Sequence, residues 1–502
     1  MIRDQIKAGA IVSYFAIFFN IAAGLLYTPW MVSQIGVSDF GLYSLIGAFL
    51  SYFLIDFGLG SAIARFVAKF RAEGKEDVVN NFLGITTRIY LFIDLIIFLV
   101  LLVVFFFLSN IFKELTPQEI EKFNVVYVIA GFFSLISFPF TPVRGAMIAY
   151  ERFFVLKMSD MVQKVLVIVM MVVALLLGYG LFALVLVNGI VGFGVKLFNF
   201  LYLKKHSNIR INLRFFDKKL AKELFSFSSW VFVIGIAQRL LLNIVPTILG
   251  IYSGSTQIAV FAIALTLEGY TWTFANALNG LFLPKVSRMV SATENRHEVS
   301  NLMIRVGRIQ LMVIGLLITG IVVLGKPFIY LWMGPAFVPS YYVALFLIVP
   351  GVITLSQEIA STLLFVVNEV KYRAVLFIFA SILSVIIGII LSPKLGAIGS
   401  AIGVGTAILL CHIIGMNFVY SKVLKLEISR FFRSVHLQMI WSLVLAGVLS
   451  VFGQQYYQVS SWFSFVVSGS AFVLIYVLLV WNLVMNPEEK RLVTSVFKKI
   501  RY

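Results

Sequence analysis

The chain has 502 residues, of which 61% are hydrophobic and only 12% charged, with a mean hydropathy of +1.01. An ordinary water-soluble domain carries about 25% charged residues; so few cannot clothe a water-facing surface of this size, and lipid must solvate much of the exterior. The formal charge of +18 would suit a nucleic-acid binder, but the basic residues sit in short clusters between long apolar stretches. That is the distribution of membrane-protein loops, and no nucleic-acid partner is expected.

A membrane span needs about 20 mainly apolar residues. On that criterion the hydropathy pattern predicts helices near 11–31, 40–64, 82–109, 124–146, 158–178, 181–203, 227–250, 258–283, 309–332, 341–367, 374–392, 396–421, 436–453 and 462–484. The expected class is therefore all-α: a polytopic membrane protein of about fourteen transmembrane helices. The start, Met1 to Lys7, leads into the first span without a small-residue cleavage site and is expected to be retained.

Charge assigns the sides. With both termini cytoplasmic, 32 of the 40 Lys and Arg fall in cytoplasmic segments, and only Lys113, Lys122, Lys326 and Lys394 on the opposite side. Arg88, Lys164, Lys196 and Arg239 fall within spans. This asymmetry is a strong orientation signal, and it supports the count, since a missed span would invert every later loop. The expected location is a bacterial plasma (inner) membrane.

Several functions are disfavoured. The longest loop, roughly Lys204 to Ser226, is too short for a catalytic domain, so no enzyme is expected. No Gly-x4-Gly-Lys-Ser/Thr phosphate loop occurs, which removes ATP as the direct energy source. The single cysteine, Cys411, allows no internal disulfide, and His206, His297, His412 and His436 are scattered. No metal or cofactor is expected.

The chain repeats itself. Tyr14 matches Trp230, Pro29 matches Pro246, Glu151-Arg-Phe matches Glu369-Val-Lys, and Gly180-Leu-Phe-Ala matches Gly396-Ala-Ile-Gly, at a nearly constant offset of 216 to 218 positions. Six spans separate equivalent helices, so the repeats run parallel. The predicted organisation is an N-lobe of helices 1–6 (1–203), an inter-lobe cytoplasmic loop (204–226), a C-lobe of helices 7–12 (227–421), and helices 13–14 with a basic tail (422–502). Two lobes imply a site between them and motion of one against the other.

Gly24-Leu-Leu-Tyr-Thr-Pro29, Ile35-Gly-Val-Ser-Asp-Phe-Gly-Leu-Tyr43 and Ile55-Asp-Phe-Gly-Leu-Gly-Ser-Ala62 resemble the oligosaccharide flippases for O-antigen and capsule. These belong to the multidrug/oligosaccharidyl-lipid/polysaccharide (MOP) exporter superfamily, with the MATE-type multidrug extruders and the lipid II flippase. The motif similarity is clearest from the start of the chain to about position 85. The resemblance implies an undecaprenyl-pyrophosphate-linked glycan as substrate, moved from the cytoplasmic to the outer leaflet. It also implies membrane lipid and polysaccharide polymerase or assembly proteins as partners. A lipid II-type flippase and a cation-coupled multidrug exporter stay open as alternatives.

Charges near a helix centre cost roughly 2.5–3.5 kcal/mol on insertion scales, so they face protein or a wet cavity. Arg239 lies midway along the seventh predicted helix, with Asn243 and Pro246 on the same face at i+4 and i+7. Its paired donors suit a pyrophosphate; a structural ion pair, for instance with Glu268, is the alternative. Arg88, Lys164 and Lys196 lie about two turns from the cytoplasmic end, where they can draw in an anionic head group or snorkel to the interface. Glu268, Glu358 and Asp94 are candidates for carrying a proton or sodium, or for partnering a cation. Asp56, in the Asp-Phe-Gly-Leu motif, is a further coupling candidate, though fixing a helix end suits it better. Asn20, Gly24 and Tyr27 form a polar or small stripe on the first helix. Gly399-Ser-Ala-Ile-Gly403 reads as a close-packing motif.

Overall fold

The computed structural model describes residues 2–52, 59–207, 209–215, 217–276, 286, 289 and 296–500. Side chains are described from residue 18 onward, apart from 219, 221, 223, 225–231, 274–276, 492 and 495–500. No strand occurs among the described residues. The apolar stretches leave backbone groups no water to bond, and a helix satisfies them within the segment. Asp56 lies outside the described residues.

Two compact units emerge, each made of two pieces of chain: residues 1–262 with 377–404, and residues 263–376 with 405–502. The first unit contains α1 (Ile2–Ile35), α2 (Val37–Ser51), α3 (Leu59–Ala72), α4 (Glu76–Ile111), α5 (Pro117–Ser137), α6 (Thr141–Ala149), α7 (Phe153–Leu176), α8 (Leu181–His206), α9 (Lys218–Leu242) and α10 (Ile244–Tyr252). It also holds the start of α11 (Ser255–Asn276). Within it α3 packs on α6, α5 and α7 on α8, α1 on α7, and α2 on both α5 and α10. The segment between α8 and α9 is pinned to α4: the Arg210 amide donates to Asn80 Oδ1 (2.7 Å) and Asn212 Nδ2 to Asn81 Oδ1 (2.7 Å).

The second unit contains the rest of α11, α12 (Arg296–Met333), α13 (Pro339–Ile348), α14 (Glu358–Val366), α16 (Met416–Lys422), α17 (Ile428–Ser434), α18 (His436–Tyr456), α19 (Trp462–Leu479) and α20 (Pro487–Ile500). Its core is the meeting of α12 with α14, α18 and α19, where Leu311, Leu363, Val435, Met439 and Ala446 are fully shielded.

Ten helical stretches among the described residues are long and apolar enough to cross a membrane. One of them, Val370–Lys422, is 53 residues long. A straight helix of that length would run roughly 80 Å, over twice the bilayer core. Its first helix, α15 (Val370–Ala407), instead kinks at Gly396 (φ 56°, ψ −134°). Ser392 and Ser400 then bond through their hydroxyls at 2.6 Å, and a Cβ at Gly403 would stand 2.8 Å from the Ser384 carbonyl. The stretch is thus a helical hairpin, the pair predicted as 374–392 and 396–421. The other predicted spans, 11–31, 40–64 and 258–283, fall on α1, on α2 and α3, and on α11, and each includes or adjoins residues outside those described.

Gly396 shows why the hairpin turns there. Its φ lies in the left-handed region, and an added Cβ would collide with Gln257 Oε1, the oxygen that accepts the Ala397 amide at 3.0 Å. Gly396→Ala is expected to cost about 1–3 kcal/mol, visible as a lowered unfolding midpoint of the detergent-purified protein.

The repeat is written into the backbone. Positive φ occurs at Gly36 and Gly254, at Glu151 and Asn368, and at Gly178 and Gly396. Within each pair the second member follows the first at the offset of the sequence repeat. The side-chain matches at that offset are few, but the chain turns in the same unusual way at the same places.

Candidate substrate and coupling sites

In the first unit the predicted stripe Arg239–Asn243–Pro246 sits at a break. Pro246 has no amide to offer the Leu242 carbonyl four residues back, and α9 ends at Leu242 while α10 begins at Ile244. Arg239 and Asn243 converge on one residue across from them: Arg239 Nη1 donates to the Ser51 carbonyl (2.5 Å) and Asn243 Nδ2 to Ser51 Oγ (3.0 Å). Ser51 is the last residue of α2, so the guanidinium meets the negative end of a helix. The adjacent Tyr52 hydroxyl donates to the Asn243 carbonyl and lies 3.2 Å from Thr247 Oγ1. The i, i+4 spacing thus does place Arg239 and Asn243 together. The sequence does not single out Ser51 and Tyr52, because nothing local marks a serine on a helix so far back in the chain as their partner.

The other predicted cations in this unit are dispersed. Lys196 is half-buried, with Nζ 3.4 Å from the Ser137 carbonyl; Arg88 and Lys164 are exposed. No hydrogen bond or ion pair among the described residues joins these three to one another. Neighbouring polar contacts knit the same helices: Ser159 to Asn199 (2.8 Å), Asn188 to the Tyr43 hydroxyl (2.5 Å), and Tyr27 to Met171 Sδ (3.1 Å). Asp94 is half-buried on α4, and its Oδ1 is shielded without a hydrogen-bond partner.

The second unit holds Glu268 and Glu358, both half-buried. Glu358 opens α14 after a one-turn tight helix, Leu355–Gln357. The stretch predicted as one helix, 341–367, is therefore broken near its middle. Non-uniform helix at membrane depth is tolerated only inside protein or beside a wet cavity. A polar seam crosses here: Gln357 Nε2 donates to Asn417 Oδ1 (2.8 Å), Ser356 Oγ meets His436 Nε2 (3.2 Å), and Arg373 Nη1 donates to Ser361 Oγ (2.8 Å). Asn417 follows a widened helical turn at Ile408–Gly415. Beside this seam the sequence marks Glu358. Arg373 counts there only as a loop charge.

The same unit carries an apolar groove of about 540 Å³ between α12 and α18, with Val349 and Val352 at its edge. Val322, Val448 and Phe452 in it are exposed, so the groove is open at the surface.

The family described as "Polysaccharide biosynthesis protein" matches residues 6–289. The chain belongs to the polysaccharide biosynthesis protein family. A relative from Bacillus subtilis (strain 168), described as the uncharacterized membrane protein EpsK, is 22% identical over 503 residues and covers 97% of each chain. Two solved structures share the fold. The lipid II flippase MurJ in an inward closed conformation has a TM-score of 0.68 at 15% identity, over 93% of this chain and 98% of that one. An inward-facing MATE family multidrug resistance transporter of the MOP superfamily has 0.66 at 15% identity, over 84% and 99%. This member of the polysaccharide biosynthesis family thus has the MOP fold over nearly its whole length, including the stretch beyond residue 289.

Proposed function

We propose that this protein is a flippase that moves undecaprenyl-pyrophosphate-linked oligosaccharide units from the cytoplasmic to the outer leaflet by alternating access, for surface polysaccharide biosynthesis. The observation that carries the proposal is Arg239, held with Asn243 at a proline-linked break inside a membrane helix. A guanidinium there offers paired donors to a diphosphate, and anchoring on the α2 end fixes its direction before any substrate arrives. Lys196, Arg88 and Lys164 in the same unit add positive charge that draws an anionic head group inward. The apolar groove beside α18 offers an apolar chain a path that stays in the bilayer. Glu268, Glu358 and Asp94 are the carboxylates through which a proton or sodium gradient would act. Membership of the polysaccharide biosynthesis family supports the substrate class.

The test is flux in proteoliposomes. Purified protein should move an undecaprenyl-pyrophosphate-linked oligosaccharide to the opposite leaflet. Movement of lipid II alone would favour the peptidoglycan alternative. Resistance to organic cations on overexpression, without flux of the glycan lipid, would overturn the proposal in favour of a drug exporter.

A further inference from the structure

Three helix starts in the first unit meet at one carboxylate that the substrate proposal does not use. Gly36 and Gly254, at φ 85° and 84°, turn the chain into α2 and α11. Just inside these turns lie Ser38 and Ser255, which are equivalent positions in the internal repeat. Their hydroxyls are 3.1 Å from each other, and both donate to Glu119 Oε1 at 2.5 Å. The other oxygen, Oε2, accepts from the Thr116 amide (2.8 Å) and hydroxyl (3.1 Å), closing the N-terminal cap of α5.

The backbones here approach closely. A Cβ at Gly41 would run into the Ser255 carbonyl, so only glycine lets α2 lie against the start of α11. Ser255 is 5% exposed. Nearby charges include Asp39 on α2, paired with Lys122 on α5 at 2.7 Å, Glu121 on α5, and Lys113 and Glu114 in the turn before α5. In the second half, the repeat offset carries Glu119 onto Pro335, Ala336 or Phe337. Matching turns of the two halves therefore meet, while one half alone supplies the carboxylate.

A carboxylate facing the positive ends of three helices, and taking two hydroxyl donors on one oxygen, makes strong charge-assisted bonds. All three turns fall on the side that the distribution of Lys and Arg assigns to the outside. We infer that Glu119 is the clasp that holds the outer end of this unit shut, and that the Ser38–Glu119–Ser255 bonds must part each time that end opens. The inference rests on the alternating-access proposal but not on the identity of the substrate.

The test uses full-length protein in sealed proteoliposomes with its outer end facing out, in a Cys411→Ala background, with Thr247→Cys as reporter farther along the α2–α10 seam. A membrane-impermeant thiol reagent is added from the outer side. Glu119→Gln keeps the size and removes the charge, and it should raise the labelling rate about tenfold. A second variant, Ser38→Cys with Ser255→Cys, should form a disulfide on oxidation. That disulfide should return labelling at position 247 of the Glu119→Gln protein, read by peptide mass so that the two added thiols do not count, to the slow rate and block transport, and reductant should restore both. A general loosening of the protein would not be reversed by that one link. Unchanged labelling in Glu119→Gln, or undiminished transport by the cross-linked protein, would overturn the inference. Labelling that responds as expected in a protein that moves no glycan lipid would leave the clasp standing and remove the substrate proposal instead.

Discussion

Arg239→Gln is expected to lower flux of a pyrophosphate-linked glycan about 10- to 100-fold, while the protein still inserts and purifies. A hydrogen bond to a charged group is worth about 1.5–3 kcal/mol. The glutamine keeps a donor for the Ser51 carbonyl, so the α2 contact is largely preserved and the loss falls on the substrate. Arg239→Lys keeps the charge but gives up the planar fork, and it should fall between the two. Flux measured with both variants separates paired recognition from simple attraction. If Gln and Lys behave alike at near wild-type rate, Arg239 only holds α2 to α9.

The largest loss of stability is expected from Arg308→Ala, at about 3–5 kcal/mol. All five N–H donors of Arg308 are used. Nε and Nη2 bind Glu489 at 2.6 and 2.9 Å, Nη1 binds the Ser434 carbonyl (2.9 Å) and Gln438 Oε1 (2.5 Å), and Nη2 also binds the Val484 carbonyl (2.8 Å). Arg308 and Glu489 are each 7% exposed. The residue therefore ties α12, the start of α18, the end of the last span and α20 into one knot. Removing the arginine strands a buried carboxylate, whereas Arg308→Met with Glu489→Leu removes both charges and should cost much less. A double-mutant cycle on unfolding midpoints checks this.

The same knot has a pH signature. Burial alone would raise the pKa of Glu489, but the Arg308 hydrogen bonds, the Asn486 backbone contact and the Arg308 charge together hold it below the ordinary carboxylate value. A depressed folded-state pKa adds stability above the unfolded-state value, and that stability is lost as pH falls through the folded one. α20 should thus stay docked at neutral pH and be released only in acid. Hydrogen exchange along 487–500, followed downward in pH, reads this directly.

The helices were legible because lipid imposes one pattern, a long apolar run, on every crossing. Their ends were not. α4 runs Glu76–Ile111 where hydropathy marks 82–109, and α12 runs Arg296–Met333 where it marks 309–332. Helices continue into the interface on polar residues that a hydropathy window ignores. The repeat was legible in a few matches, and the positive-φ positions carry the same offset. Arg239 and Asn243 could be placed on one face by their spacing. Their landing point at Ser51, the Glu119 clasp and the Arg308–Glu489 knot could not, because each depends on contacts between distant parts of the chain. Arg308 in particular reads as one more loop charge, since composition does not distinguish a solvated arginine from one whose five donors are all buried.

If the positive side chains of the first unit recognise a diphosphate, equilibrium binding of undecaprenyl pyrophosphate should separate purified wild-type protein from the variant with Arg88, Lys164, Lys196 and Arg239 all changed to glutamine. The variant should lose at least tenfold in affinity, and wild-type binding should weaken with added salt. Equal affinity of the two proteins, independent of salt, would contradict it.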